Sequence, residues 1–205
     1  MILVTDRGGL QRILADAEWT GVRRGDYRMG MALSVPRYTI DDIERLPEDG
    51  NRYEVLDGML IVTPSPSFGH QRVATDIAVR LGQAIGSLGV VVAPGAIQRG
   101  DSTQLEPDVL VVPAAYGRVE KWREIEEHWL AVEVLSRSSH IYDREFKRDA
   151  YLALGVREVW LVDARSKTIE VARAPGRVDV VRDVIRWRVP GSEVVVAINL
   201  DELFP

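Results

Sequence analysis

The chain has 205 residues, of which 46% are hydrophobic and 28% are charged, and this length and composition are typical of one globular domain with a substantial core. Its formal net charge of −5 gives no sign of the basic surface common in nucleic-acid-binding proteins, although a local patch or a bound metal can offset the overall sign. Cysteine is absent, which excludes disulfides, zinc–thiolate sites and cysteine nucleophiles.

Residues 1–30 differ from the rest of the chain and are predicted to form an N-terminal extension or arm. They contain one short helical pattern near Leu10–Trp19, followed by a polar stretch rich in glycine and arginine. Residues 31–205 are expected to form a single domain. Neither a signal-peptide core nor a stretch of ~20 apolar residues is present, so we expect a cytoplasmic protein with no membrane partner.

The first part of this domain predicts a hairpin and a long helix. Thr39 is placed to cap a short helix over residues 40–46, whose first turn is acidic. The run YEVLDGMLIV predicts a strand, an Asp-Gly turn and a second strand. Apolar residues at helical spacing then predict a helix over residues 70–88 that Gly89 ends. Short strands are predicted in VVVAP and AIQRG.

The second part of the domain predicts alternating strands and helices. DVLVVP and WLAVEVLS predict buried strands, and the charged segment 116–128 before the second is expected on the surface. DREFKRDAYLALG predicts a helix ended by Gly155, and REVWLVDA and TIEVARA predict two more strands. The remainder predicts further strands and a short terminal helix. We therefore expect an α/β fold of the α+β type: a mixed sheet with flanking helices and additional β-hairpins.

Three acidic residues occupy unusual positions in these strands. Glu133 lies in the middle of WLAVEVLS, and glutamate is almost never fully buried unless it is paired. Asp108 opens the preceding strand and Glu54 lies in the hairpin. Because side chains alternate along a strand, pairing of the two strands would bring Asp108 close to Glu133. Clustered carboxylates without cysteine or histidine indicate a hard-cation site, such as one for Mg²⁺, suited to phosphate-ester chemistry.

Lys147 is the fourth member of this group. It lies on the helix after the Glu133 strand, in a chain with three lysines and 23 arginines. A lysine beside a carboxylate site can orient an attacking water or neutralise developing phosphate charge. The alternatives stay open at this point: a solvent-facing pair with Asp143 for Lys147, a structural ion pair for Glu133, a turn position for Asp108 and an exposed hairpin position for Glu54.

The order of these segments resembles a known family. The chain contains, in this order, YEVLDGML, PSPSFGHQRV, PDV, VEVLS, a helix with lysine and the pattern Y-x-x-x-G-V-x-E-V-W-L-V-D. Together they are similar, over residues 37–174, to the Uma2-type (DUF820) proteins of the PD-(D/E)XK nuclease superfamily. The resemblance implies a restriction-endonuclease-like core and a DNA endonuclease that depends on Mg²⁺, for which Mn²⁺ can substitute.

The resemblance also implies roles for individual residues. Asp108 would be the metal-binding aspartate of the PD element, and Glu133 the acidic residue of the (D/E)XK element. The carbonyl of Val134 would add a metal ligand. Leu135 stands where the superfamily has its lysine, but the family resembled carries that lysine on the next helix, which matches Lys147.

Three further candidates complete the predicted site. Glu54 matches the upstream acidic residue of the family and is predicted as a catalytic residue and metal ligand. For His70, capping of the long helix or packing is favoured over contact with phosphate. Tyr151, one turn after Lys147, either supports the site or only packs.

DNA is the expected partner, and a homodimer or higher homo-oligomer would suit cleavage of both strands of a duplex. The competing function is a catalytically inactive nucleic-acid-binding or oligomeric interaction protein that retains the nuclease fold. The acidic net charge and the absence of lysine at position 135 favour that alternative.

Overall fold

The structure, a computed structural model, describes residues 37–135 and 146–204. The strands are β1 (Asn51–Leu56), β2 (Met59–Pro64), β3 (Gly89–Val92), β4 (Ile97–Arg99), β5 (Thr103–Leu105), β6 (Val109–Pro113), β7 (His128–Val134), β8 (Val156–Asp163), β9 (Thr168–Ala174), β10 (Arg177–Val181), β11 (Val184–Arg188) and β12 (Val195–Asn199). The helices are α1 (Ile40–Ile43), α2 (Phe68–Ile85), α3 (Arg148–Ala153) and α4 (Leu200–Leu203), with 3₁₀ turns at Gly86–Leu88, Ala114–Tyr116 and Trp122–Glu124. Within those two ranges, no helix has both the length and the apolarity that a membrane crossing requires.

A six-stranded mixed sheet forms the centre of the described structure. Its strand order is β10-β9-β8-β7-β6-β3, in which β7 and β8 are parallel and the other neighbours are antiparallel. All seven residues of β7 are buried, as a central strand covered on both faces requires. The connection from β7 to the parallel β8 contains α3, since parallel neighbours need a crossover. The predicted mixed sheet with flanking helices is therefore confirmed.

The two faces of this sheet pack against different elements. Leu130 and Val132 of β7 belong to an apolar cluster with α2 and with the β11–β12 hairpin. Ala131 and Leu135 belong to a second cluster with α3, which contributes Tyr151. Because side chains alternate along β7, Glu133 lies on the same face as Ala131 and Leu135, on the α3 side.

A four-stranded sheet of order β2-β1-β5-β4 lies beside the central sheet. The predicted hairpin is confirmed as β1 and β2, and its turn uses Asp57 and Gly58 at positive φ. Strand β5 was not predicted from the sequence. It pairs with β1 through Val55 and Gln104, and this pairing brings the segment before Asp108 against β1.

Several predicted boundaries are wrong. Helix α1 stops at Ile43, and α2 starts at Phe68 and ends at Ile85, with Gly86 as its C-cap at φ +53. His128 belongs to the buried β7 rather than to a surface segment. The predicted arm at residues 1–30 and the start of the helix predicted from residue 143 lie outside the described residues.

His128 is a buried, neutral histidine at the start of β7. It is 3% exposed, and in the described part of the chain neither ring nitrogen has a hydrogen-bond partner. Burial, reinforced by the charge of Arg99, lowers the pKa of His128 from 6.5 to about 4. The unfolded chain thus takes up a proton near pH 6.5, whereas the folded protein takes it up only near pH 4. Stability is therefore lost as the pH falls through this window.

We predict that His128→Leu removes this loss. Between about pH 7 and pH 5, the wild type should lose about 2 kcal/mol more free energy of unfolding than the variant. Urea unfolding of both proteins at the two pH values measures the difference. Equal losses in the two proteins would show that His128 does not titrate in this way.

Candidate functional site

The pairing of β6 with β7 places two carboxylates side by side. Val109 lies opposite Val132, so the next position of the antiparallel register brings Asp108 beside Glu133 on the same face of the sheet. Both are buried, at 4% and 3% exposure. Two buried carboxylates this close require compensating charge or hydrogen bonds, because burial and like charge both oppose ionisation.

Asp108 receives donors from three elements. The backbone N–H of Val134 donates to Oδ2 at 2.8 Å, and Nε2 of His70 lies 3.0 Å from the same oxygen. Both Nη atoms of Arg52 donate to Oδ1 at 3.2 Å. Burial acts to raise the pKa of the Asp108 carboxyl, but these donors, His70 foremost, outweigh it and hold that pKa below its ordinary value. Asp108 is therefore an anion at neutral pH.

Lys147 forms a buried bridge between Glu133 and Glu54. Its Nζ lies 3.2 Å from Oε1 of Glu133 and 2.7 Å from Oε2 of Glu54. The second contact is an ion pair whose geometry is not that of an aligned hydrogen bond. Glu54 is fully buried and Lys147 is 2% exposed. A charge removed from water this completely must be paired, and here one ammonium serves two carboxylates.

Tyr151 of α3 is a second donor to the Glu133 oxygen that Lys147 contacts. Its hydroxyl donates a short hydrogen bond to Oε1 of Glu133. Full burial, and then the charges of Glu133 and Glu54, raise the pKa of Tyr151 well above its ordinary value. The hydroxyl therefore keeps its proton and remains a donor to the carboxylate.

Arg52 is a site residue that sequence reasoning missed. It donates to the carbonyl of Glu106 at 3.1 Å as well as to Asp108, while Oε1 of Glu54 accepts from the N–H of Glu106 at 2.7 Å. The side chain of Arg52 is 20% exposed, whereas that of Asp108 is 3% exposed, so Arg52 forms the outer edge of the site. The available signal was its spacing: Arg52 and Glu54 are two apart on β1 and face the same side.

The structure brings all the predicted side chains together, in some cases differently from expectation. A solvent-facing position for Lys147 is wrong, because that side chain is buried; its suggested partner Asp143 lies outside the described residues. Capping by His70 is also wrong, since Ser67 caps α2 and the ring of His70 reaches Asp108. The catalytic and ligand roles of these residues, including that of the Val134 carbonyl, stay predictions.

The donor chemistry of the site suits a hard cation. The oxygens of Asp108, Glu133 and Glu54 are the ligand type that Mg²⁺ prefers, and the lowered pKa of Asp108 keeps its carboxylate charged. Among residues 37–135 and 146–204, however, no three His, Asp or Glu side chains are arranged as a metal-ligand cluster. Arg52 and Lys147 supply positive charge in this arrangement.

Comparison with known proteins finds a family model and similar solved structures. The family model Uma2, described as "Putative restriction endonuclease", matches residues 40–199. A crystal structure of a "putative nuclease belonging to DUF820" from Anabaena variabilis ATCC 29413 is similar with a TM-score of 0.66 and 21% identity, covering 82% of this chain and 97% of that one. No curated protein matches. At this identity the structural likeness shows the fold, and it confirms the predicted restriction-endonuclease-like core.

We predict that Lys147→Met destabilises the protein strongly. The variant leaves Glu54 and Glu133 buried without their shared cation, so the free energy of unfolding should fall by about 3–5 kcal/mol. Urea unfolding at neutral pH measures this loss. The matched control is Lys121→Met, at an exposed lysine, which should stay within about 0.5 kcal/mol of wild type. A similar small change in both variants would mean that the bridge contributes nothing to stability.

Proposed function

Because this chain belongs to the Uma2 family of restriction-endonuclease-like proteins, as its motifs predicted, we propose that it is a metal-dependent endonuclease that hydrolyses DNA phosphodiester bonds. The observation that carries this proposal is the contact of Lys147 Nζ with Glu133, on the face where Asp108 also lies. A lysine at the N-terminus of the following helix thus contacts Glu133, one of the two acidic residues that the family pattern requires, even though position 135 is leucine.

In this proposal, Asp108, Glu133 and Glu54 hold Mg²⁺, with Mn²⁺ as a substitute and the Val134 carbonyl as a further ligand. When bound, the metal would polarise the phosphodiester and lower the pKa of a water molecule. The oxygen donors are consistent with this role, because a divalent cation removes the mutual repulsion of neighbouring carboxylates.

The protein's own residues prepare the site for this chemistry. Lys147 orients the attacking water or neutralises charge that develops on the phosphate. Glu54 and Glu133 hold its ammonium in place, and Tyr151 fixes the orientation of Glu133 by its hydroxyl. His70 fixes the orientation of Asp108 in the same way, through the contact of its Nε2 with that carboxylate.

A second candidate function is nucleic-acid binding without hydrolysis. It is supported by the engagement of both Asp108 oxygens by protein donors, which leaves fewer carboxylate positions for a metal ion. The net charge of −5 does not favour binding of a polyanion and so does not support this candidate. Its other support, the absence of lysine at position 135, is weakened because Lys147 reaches Glu133. A cytoplasmic location, self-association and the division of the chain at residue 30 stay predictions.

We predict that wild-type protein cleaves DNA with Mg²⁺ or Mn²⁺ and that Glu133→Gln lowers the rate by about 10²- to 10³-fold, a range typical of removing one charge-stabilising group. The amide keeps the size of the side chain but removes its charge. Glu126→Gln, at an exposed glutamate, is the matched control and should cleave like wild type. Titration calorimetry with Mg²⁺ should show weaker binding only in Glu133→Gln.

Equal cleavage by wild type and Glu133→Gln would remove this site from consideration. Salt-dependent DNA binding without hydrolysis under any of the metals would support the second candidate. Absence of DNA binding at any salt concentration would count against both functions.

A further inference from the structure

A cleft adjoins the candidate site on the side of β1. It has a volume of about 660 Å³ and is lined by residues between Ile43 and Tyr53, by Ser65 and Pro66, and by Gln104 and Glu106. This volume is in the range of small-ligand sites. The cleft shares Arg52 with the site, where that side chain binds Asp108. A molecule in the cleft would therefore lie next to the proposed reaction centre.

The charges along the cleft limit what it can accept. Glu44, Glu48 and Glu106 line it, and among its lining residues Arg52 is the cation. Because like charges repel, the anionic phosphate backbone is disfavoured along these walls and favoured only at the Arg52 end. A nucleobase is uncharged and planar, so it can enter where a phosphate cannot.

The polar groups of the cleft favour hydrogen-bond donors on the base. The amide of Gln104 accepts from Gln98 at 2.6 Å and donates to Glu106 at 2.8 Å, so this pair is held in a fixed orientation. An ionised carboxylate accepts hydrogen bonds and donates none, so it pairs with the exocyclic amino groups of bases. Thymine has no such amino group.

Tyr53 adds an aromatic residue to the wall. It is half-buried, and its hydroxyl donates to Oδ2 of Asp49 at 2.8 Å, which restrains the side chain. Bases stack on aromatic side chains of nucleic-acid-binding proteins irrespective of sequence. Stacking would supply affinity at this position, and the glutamates would supply discrimination.

We propose that this cleft is a nucleobase subsite, specific for bases with an exocyclic amino group, and that Arg52 at its inner end contacts the adjoining phosphate of the same strand. The inference rests on the proposed action on DNA and deepens it by assigning a substrate preference. It places base selection on β1 and on the segment before it, next to the proposed reaction centre but separate from Glu133 and Lys147.

The test measures the binding of fluorescent single-stranded oligonucleotides of dC, dA or dT by fluorescence anisotropy. No metal is added, so that hydrolysis does not interfere. Wild type should bind oligo-dC and oligo-dA about tenfold more tightly than oligo-dT. Tyr53→Leu should weaken binding to dC and dA by about tenfold. Tyr53→Phe keeps the ring and loses the hydroxyl that contacts Asp49, and it should stay within about twofold of wild type. Unfolding midpoints verify that all three proteins are folded.

Equal binding of the three oligonucleotides, or no binding of any, would overturn the proposal. Equal losses in Tyr53→Phe and Tyr53→Leu would also overturn it, because they would assign the effect to the hydroxyl contact instead of to stacking. Cleavage assays separate this inference from the proposed function. Base preference without metal-dependent cleavage would support the nucleobase subsite and reject the proposed nuclease function. Metal-dependent cleavage without base preference would support the nuclease function and reject the subsite.

Discussion

The structure of the site depends on one buried ammonium. Lys147 lies between Glu133 on the central sheet and Glu54 on the smaller sheet, so it joins the two sheets. A buried charge is costly unless it is compensated, and this lysine compensates two carboxylates at once. The same contact that makes the burial tolerable also places a lysine at the family's acidic site. Structural and proposed chemical roles therefore coincide in this residue.

Asp108 shows the same principle with different donors. Arg52, His70 and the Val134 N–H engage its carboxylate and lower its pKa, so the group stays ionised although it is buried. Such a site is preorganised for positive charge, since the guanidinium of Arg52 already contacts the Asp108 carboxylate.

The sequence by itself determined the family and the mixed sheet, and it singled out the residues of the candidate site. Alternation along β7 was enough to place Glu133 on a defined face, and the order of Asp108, Glu133 and Lys147 was enough to suggest their association. These features are local or depend on chain order, which is why they could be predicted. The hairpin around Asp57 and Gly58 was predictable for the same reason, because its turn needs residues that tolerate positive φ.

Only the tertiary structure decided how the site is compensated. The contact of Lys147 with Glu54 and that of Arg52 with Asp108 join residues far apart in sequence, and no periodic pattern encodes such pairs. The short β5 and the burial of His128 were missed because both depend on pairing and packing with neighbouring strands rather than on a local pattern. Position 135 illustrates the difference between the two sources. The sequence shows leucine where the superfamily has its lysine, and the tertiary structure shows that Lys147 contacts Glu133 instead.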